Sequence, residues 1–92
     1  MTINEAINHE NASLVDVRTP GEVSMEPVPG AVNIPLDEVP KRWEEFKDMP
    51  RPLVIFCRSG NRSGQAIEFL KSKGISDGMN GMGAADVLIN LM

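Results

Sequence analysis

The sequence predicts an α/β fold in which a small parallel sheet is covered by helices on both faces. Short apolar runs typical of strands alternate along the chain with segments whose apolar residues recur at helical spacing. The longest apolar run, residues 53–57, indicates a strand buried within the sheet. The 92 residues show no internal repeat or change of composition, so a single domain over residues 1–92 is expected.

The first half of the chain alternates short strands with short helices. The predicted strands are residues 2–3, 14–17 and 31–34, and the predicted helices are residues 4–10 and 22–25. Turn-forming residues mark the strand ends, because Thr19-Pro20-Gly21 follows the second strand and Pro35 follows the third.

The second half contains the longer helices. Four apolar residues recur at helical spacing and are expected to bury one helix face: Leu36, Val39, Trp43 and Phe46. Asp37 is the expected N-cap of this helix, and Pro40 fits only in its first turn. The strand at residues 53–57 precedes a helix that is expected to end near Gly74. A last strand at residues 77–80 and a helix at residues 84–92 complete the prediction.

Charge and cysteine content exclude several classes of function. The net charge of −4 argues against a general nucleic-acid binder. Three cationic residues, Arg51, Arg58 and Arg62, nevertheless lie near the cysteine in sequence, which favours small anionic substrates over polyanions. The single cysteine, Cys57, excludes an internal disulfide and a cysteine-rich zinc site. No metal or other cofactor is expected.

The N-terminal residues lack a basic segment followed by an apolar one, so they do not resemble a secretory signal. No apolar run approaches the ~20 residues of a membrane span. A cytoplasmic protein without membrane association is therefore expected.

The cysteine at the end of the central strand is the main candidate for chemistry. A lone cysteine in this position is ordinarily a small buried apolar residue. Here the residues that follow Cys57 favour a nucleophile, because a tight loop and a helix N-terminus direct N–H groups at one point. Together with the charges of Arg58 and Arg62, these groups are expected to lower the thiol pKa by ~1 to 3 pH units. Gly60 permits the bend of the backbone.

Spacing within the loop restricts what it can hold. Four residues separate Cys57 from Arg62. Tyrosine-phosphatase loops instead contain a cysteine, five residues and an arginine, which surround a tetrahedral phosphoryl group. The shorter loop is expected to be too tight for that group and to enclose a single sulfur atom.

Three motifs resemble those of single-domain rhodaneses, which are thiosulfate sulfurtransferases. They are Leu-Val-Asp-Val-Arg-Thr-Pro-Gly-Glu at residues 14–22, Val-Pro-Gly-Ala-Val-Asn-Ile-Pro-Leu at residues 28–36, and Val-Ile-Phe-Cys-Arg-Ser-Gly-Asn-Arg-Ser at residues 54–63. The resemblance implies a three-layer fold with a parallel sheet of about five strands. It also implies that Cys57 is the catalytic nucleophile, and that Asp16 and Arg18 support the architecture.

The same resemblance implies the substrate-binding residues and the reaction. The active-site loop would be formed by Arg58, Ser59, Gly60, Asn61, Arg62 and Ser63. The Cys57 thiolate would take a sulfur atom from thiosulfate, release sulfite and pass the sulfur to cyanide or a thiol. A protein sulfur donor or acceptor is also compatible with this scheme.

The chain departs from the family pattern at three places, one of which is Val23, where an aromatic residue is usual. Glu26-Pro27-Val28 replaces a Gly-His-Ile sequence, and residues 81–86 replace the usual Gly-Gly and downstream tryptophan. These differences leave the loop intact but are expected to alter the pocket rim. For Arg58, contact with substrate and simple exposure to solvent are equally compatible with the pattern.

Other functions stay open at this level. A rhodanese-like sulfur carrier or interaction module would use the same fold without turnover on thiosulfate. A redox sensor would need an outside thiol, because the chain has no second cysteine. A phosphatase or arsenate reductase is disfavoured by the short loop. Exposure, rather than catalysis, is expected for His9.

Overall fold

The computed structural model describes residues 1–91, which form four strands and five α-helices. The strands are β1 (Ser13–Asp16), β2 (Val32–Asn33), β3 (Leu53–Cys57) and β4 (Gly78–Gly83). The helices are α1 (Ile3–Ile7), α2 (Pro20–Met25), α3 (Val39–Lys47), α4 (Asn61–Ser72) and α5 (Ala84–Asn90). A 3-10 turn, Leu36–Glu38, precedes α3.

The four strands form one parallel sheet in the order β2-β1-β3-β4. The predicted α/β class with a parallel sheet is confirmed. The described residues contain four strands rather than about five, because residues 2–3 begin a helix. The Thr2 hydroxyl accepts the Glu5 N–H at 3.1 Å, and the Glu5 carboxylate accepts the Thr2 N–H at 2.8 Å. This reciprocal capping stabilises a helix start where the apolar Ile3 indicated a strand.

Both faces of the sheet are covered, and β3 shows why. All five of its residues are buried, and they alternate between two apolar clusters. Leu53, Ile55 and Cys57 pack with residues of α3 and α4, whereas Val54 and Phe56 pack with residues of α1 and α5. A strand between two helical layers needs apolar side chains at every position, which accounts for the unbroken apolar run.

The predicted ends of the second-half elements are partly right. Asp37 is not the N-cap of α3, because it lies within the 3-10 turn, and Glu38 occupies that position without a side-chain capping hydrogen bond. Pro40 lies in the first turn of α3 as expected. Gly74 has a φ of +86° just after α4, which agrees with the predicted helix end. The predicted terminal helix stops at Asn90, and Met92 lies outside the described residues.

Parallel pairing places the chemically interesting residues at one edge of the sheet. Asp16 is paired with Phe56, so β1 and β3 end side by side. Asp16, Arg18 and the loop after Cys57 therefore meet at the carboxyl edge, where open α/β sheets commonly bind ligands. In residues 1–91 no helix has the length and apolar character required to cross a bilayer.

Close packing at the bulge of β4 generates a first prediction. A methyl group at Gly81 would lie 2.8 Å from Val54 Cγ1 and 3.2 Å from Phe56 Cβ, both in the buried core. We expect Gly81→Ala to lower the free energy of unfolding by about 1–3 kcal/mol, because the added methyl group would overpack this core. Urea denaturation with an unchanged slope would show this.

The matched control is Gly21→Ala in α2, where the nearest atom to the added methyl group is 4.0 Å away. This change should leave stability unchanged or raise it slightly, since alanine favours a helix over glycine. Equal urea midpoints for both variants would contradict the packing argument.

Candidate active site

The Cys57 sulfur lies at the start of a tight loop that turns back over it. The Gly60 N–H donates to Sγ at 3.0 Å, three residues further along the chain. Gly60 reaches this position with a φ of +98°, a conformation that glycine adopts without a steric penalty. The Ser63 Oγ lies 3.5 Å from Sγ on the first turn of α4. The sulfur is thus surrounded by hydrogen-bond donors at the start of a twelve-residue helix.

These contacts decide the ionisation of the thiol. Burial raises the pKa of Cys57, but hydrogen bonds to sulfur outweigh burial and lower the pKa from 9.0 to about 7. They come from the Ser63 hydroxyl and amide and from the Gly60 and Ser59 amides. A substantial fraction of the molecules therefore contains a thiolate at neutral pH. Hydrogen bonding, rather than the two nearby arginines, is the main cause of the low pKa.

Arg62 is engaged by a carboxylate and not directed at the sulfur. Its guanidinium makes a two-pronged ion pair with Glu22, with N–O distances of 2.7 and 2.9 Å. Hydrogen bonds from Arg62 and from Thr19 lower the pKa of Glu22 to about 2. Because Glu22 also caps α2 through Thr19, this pair joins the start of α2 to α4. The sequence contained no signal for the pairing beyond the Thr19–Glu22 capping pattern.

Asp16 and Arg18 form the second ion pair at this edge, and both are buried. Asp16 accepts the Arg18 Nη2–H at 2.7 Å and the Arg18 backbone N–H at 3.0 Å. Arg18 also donates to the Glu26 carbonyl oxygen at 2.7 Å. Each charge has several partners, as a buried ion pair requires. The geometry suits the structural role predicted for these two residues.

Arg58 differs from the other arginines at the edge. It is exposed, and no hydrogen bond or ion pair joins its side chain to another residue among those described. It borders a groove of about 730 Å³ that lies between α2 and the start of α5. Met25, Ala84 and Ala85 supply much of the apolar wall of this groove. An anion beside the loop would therefore meet one uncommitted cation.

Of the remaining predicted loop residues, Ser59 and Asn61 have side chains that face solvent. Ser59 is exposed and acts on the sulfur through its amide. The Asn61 side chain is also exposed and accepts a hydrogen bond from Gln65 at 2.8 Å. Gly60 and Ser63 contact the sulfur directly, as described above. The role of the loop as a substrate site stays a prediction.

Two residues of β4 complete the site and were not singled out from the sequence as loop contacts. Asn80 accepts the Ser63 O–H at 2.7 Å and donates to the Gly60 carbonyl oxygen at 3.0 Å. Met82, with a φ of +70°, packs against Gly60 and is half-exposed. A polar residue within a predicted strand was the one available signal for Asn80. Met82 stands in the segment where the rim was expected to depart from the family pattern.

Known proteins are similar to this chain in sequence. The family model for the rhodanese-like domain matches residues 2–89. A sulfurtransferase of Allochromatium vinosum is 42% identical over 72 residues, which cover 77% of this chain and 65% of that protein. The thiosulfate sulfurtransferase PspE of Escherichia coli is 38% identical over 74 residues, which cover 79% and 71%. The chain thus spans about two thirds of the length of these relatives.

A solved structure is similar in fold as well as in sequence. A rhodanese from E. coli, determined with anions, superimposes with a TM-score of 0.71 at 37% identity. The superposition covers 80% of this chain and 88% of that one.

The two serines of the loop provide a test of what lowers the thiol pKa. Ser63→Ala removes a hydroxyl that donates to the thiolate, and we expect the pKa of Cys57 to rise by about 1 pH unit. Ser59→Ala keeps the amide that acts on the sulfur, so the pKa should stay near 7. Titration of the ultraviolet absorbance of the thiolate measures both, since the chain has one cysteine. Equal pKa values for the two variants would argue against a hydroxyl contribution.

Proposed function

The chain belongs to the rhodanese-like family, and on this premise we propose that it is a sulfurtransferase that transfers a sulfane sulfur through a persulfide on Cys57. The donor is thiosulfate or another anionic sulfane-sulfur compound, and the acceptor is a thiol or, in an assay, cyanide. The relatives named above are sulfurtransferases, which supports the reaction class. The choice of donor and acceptor is our inference from the site. We also propose that residues 1–92 form a single functional domain.

The observation that best supports the proposal is the amide cradle around the Cys57 sulfur. Sγ accepts the Gly60 N–H at 3.0 Å, and the thiol has a pKa of about 7. A thiol whose pKa lies near neutral pH combines a sizeable thiolate fraction with good intrinsic reactivity. No general base is then needed to start the reaction.

In the first half-reaction the Cys57 thiolate attacks the outer sulfur of thiosulfate. A sulfur–sulfur bond forms to Sγ while the bond within thiosulfate breaks, and its electron pair leaves with sulfite. The enzyme then carries a persulfide whose negative charge lies on the outer sulfur. Arg58, as the uncommitted cation, would attract the sulfonate oxygens of the donor.

In the second half-reaction an acceptor thiolate attacks the outer sulfur of the persulfide. The new sulfur–sulfur bond forms on the acceptor, and the electron pair of the broken bond returns to Cys57 as thiolate. Charge is balanced in both steps, so neither an oxidant nor a reductant is required. The ping-pong order follows from the single sulfur site.

The groove beside Arg58 supports a thiol larger than the donor as the acceptor. Its volume of about 730 Å³ falls within the range typical of small-molecule pockets and far exceeds the size of thiosulfate. The apolar wall formed by Met25, Ala84 and Ala85 suits the carbon skeleton of a peptide-sized thiol. Glu22 and Glu26 also line the groove, so its charge is mixed. We therefore propose an organic thiol, or a cysteine on a partner protein, as the natural acceptor.

Phosphatase chemistry receives less support from the same site. A cysteine phosphatase needs an arginine that faces the phosphoryl group at the nucleophile. Here Glu22 holds both terminal nitrogens of Arg62 at 2.7 and 2.9 Å. The short loop and this ion pair both argue for the transfer of a single sulfur atom.

Persulfide formation is the direct test of the proposal. We expect the reduced protein to gain the mass of one sulfur atom after incubation with thiosulfate, and cyanide to remove it with formation of thiocyanate. Cys57→Ala should show neither change, because it lacks the nucleophile. Ser59→Ala is the matched control in the same loop, as only its amide acts on the sulfur. Failure of the folded wild type to gain sulfur from thiosulfate or from a protein persulfide would refute the proposal.

A gain of sulfur from a protein persulfide alone would favour the sulfur-carrier module over the thiosulfate enzyme.

The cytoplasmic location expected from the sequence stays a prediction.

Arg58 generates a further prediction about substrate binding. We expect Arg58→Ala to raise the KM for thiosulfate about 10-fold with little change in kcat, because a charge-assisted hydrogen bond to the donor is lost. Lys47→Ala removes one positive charge at the end of α3, which leads to the opposite edge of the sheet, and should leave KM unchanged. An equal rise in KM for both variants would indicate a general effect of net charge instead of a contact.

A further inference from the structure

The side-chain amide of Asn80 has a single allowed orientation. Its Oδ1 accepts the Met82 N–H at 2.9 Å, and its Nδ2 donates to the Gly60 carbonyl oxygen at 3.0 Å. A flipped amide would place two donors against each other at Met82 and two acceptors against each other at Gly60. Oδ1 therefore faces Ser63, whose Oγ lies 2.7 Å away.

This orientation determines where the Ser63 proton points. A carbonyl oxygen can only accept, so the single hydroxyl proton of Ser63 is donated to Asn80. A lone pair of the same Oγ then faces Cys57 Sγ at 3.5 Å. In this arrangement Ser63 accepts the S–H proton of the thiol. The thiolate instead requires the hydroxyl proton for itself, so two acceptors compete for one donor.

We propose that Asn80 is a positioning residue that sets the thiolate fraction of Cys57 by competing for the hydroxyl proton of Ser63. When the thiol ionises, the Ser63 O–H rotates from Asn80 to Sγ, and Asn80 keeps its bonds to Met82 and Gly60. The proton stays on Ser63 throughout, and only its direction changes. This inference rests on the proposed role of Cys57 as the nucleophile.

The competition follows the sulfur through the proposed reaction cycle. In the persulfide the negative charge lies on the outer sulfur, and Sγ is a neutral atom in a sulfur–sulfur bond. The hydroxyl of Ser63 then gains more from Asn80 than from Sγ and returns to the amide oxygen. Asn80 thus favours the persulfide over the thiolate and links β4 to the state of the cysteine.

The charged side chains around the loop do not take part in the hydrogen bonds among Cys57, Ser63 and Asn80. Those nearest the site are Arg58 on the loop, Arg62 on α4, Glu22 on α2, Asp16 at the end of β1, Arg18 just after β1, and Asp86 on α5. In the part of the chain that the structure describes, none of them bonds to Sγ, to the Ser63 hydroxyl or to the Asn80 amide.

A double-mutant cycle on the pKa of Cys57 tests the proposal. Thiolate absorbance is titrated for the wild type, Asn80→Ala, Ser63→Ala and the double variant, with thermal unfolding as a check of folding. We expect Asn80→Ala to lower the pKa of Cys57 by about 0.5 to 1 pH unit, because it frees the hydroxyl for the thiolate. In the Ser63→Ala background the same change should have no effect. An equal shift in both backgrounds would show that Asn80 acts through the loop backbone, and would overturn the proposal.

A second variant covers the case in which Asn80→Ala does not fold. Asn80→Asp keeps an oxygen toward Ser63, but it also adds a negative charge and places an acceptor against the Gly60 carbonyl oxygen. Its effect on the pKa of Cys57 is therefore measured with and without Ser63→Ala, and we expect a larger rise when the Ser63 hydroxyl is present. An equal shift in both backgrounds would contradict the proposal. The titration does not depend on sulfur transfer, so a protein that forms no persulfide would refute the proposed function while the cycle still decides the role of Asn80. If sulfur is transferred, the pH profile of persulfide formation should move to lower pH in Asn80→Ala.

Discussion

The hydrogen bond from the Gly60 N–H to the Cys57 sulfur is the contact on which the edge of this fold depends. To make it, the chain must reverse within three residues of a buried strand, and the φ of +98° at Gly60 allows this reversal. A side chain at Gly60 would lie 2.8 Å from the Met82 Cε, and one at Gly83 would overlap the carbonyl oxygen of Arg58. The loop therefore needs glycine both within it, at Gly60, and at the end of β4, at Gly83, and its shape determines where α4 begins.

The electrostatics of the site follow from this geometry more than from its formal charges. Two of the three arginines at the edge, Arg18 and Arg62, have carboxylate partners at 2.7 Å. The thiolate is stabilised mainly by neutral donors, and the backbone amides among them need little reorganisation when charge appears, because their positions are fixed. The carboxylates hold the arginines in place, and this rigidity keeps the donors aimed at the sulfur.

The sequence was informative for several elements whose determining contacts lie within one segment. The apolar run of β3, the helix end at Gly74 and the loop after Cys57 are local patterns, and each was predicted. The side-chain pairs between segments were not. Arg62 and Glu22 are 40 residues apart, and Ser63 and Asn80 are 17 apart, so only tertiary packing brings them together.

The predicted strand at residues 2–3 is wrong for a different, local reason. One apolar residue indicated a strand, while the reciprocal capping of Thr2 and Glu5 favoured a helix. β4 was also difficult to delimit, because its six residues include three glycines and give little apolar periodicity. Its role depends on close approach to β3 and to the loop, which a sequence pattern does not encode.

A cradle of neutral donors also suits the cycle proposed for this enzyme. In this proposed cycle the site carries one negative charge in both reactive forms. The charge lies on Sγ in the thiolate and on the outer sulfur atom in the persulfide. Sulfite carries two charges, and each unpaired cation in a partly buried site would strengthen its retention. Because Arg18 and Arg62 form ion pairs with Asp16 and Glu22, Arg58 is the arginine left to attract the donor. Carboxylates beside an anion site thus favour turnover, since they limit how tightly the product is held.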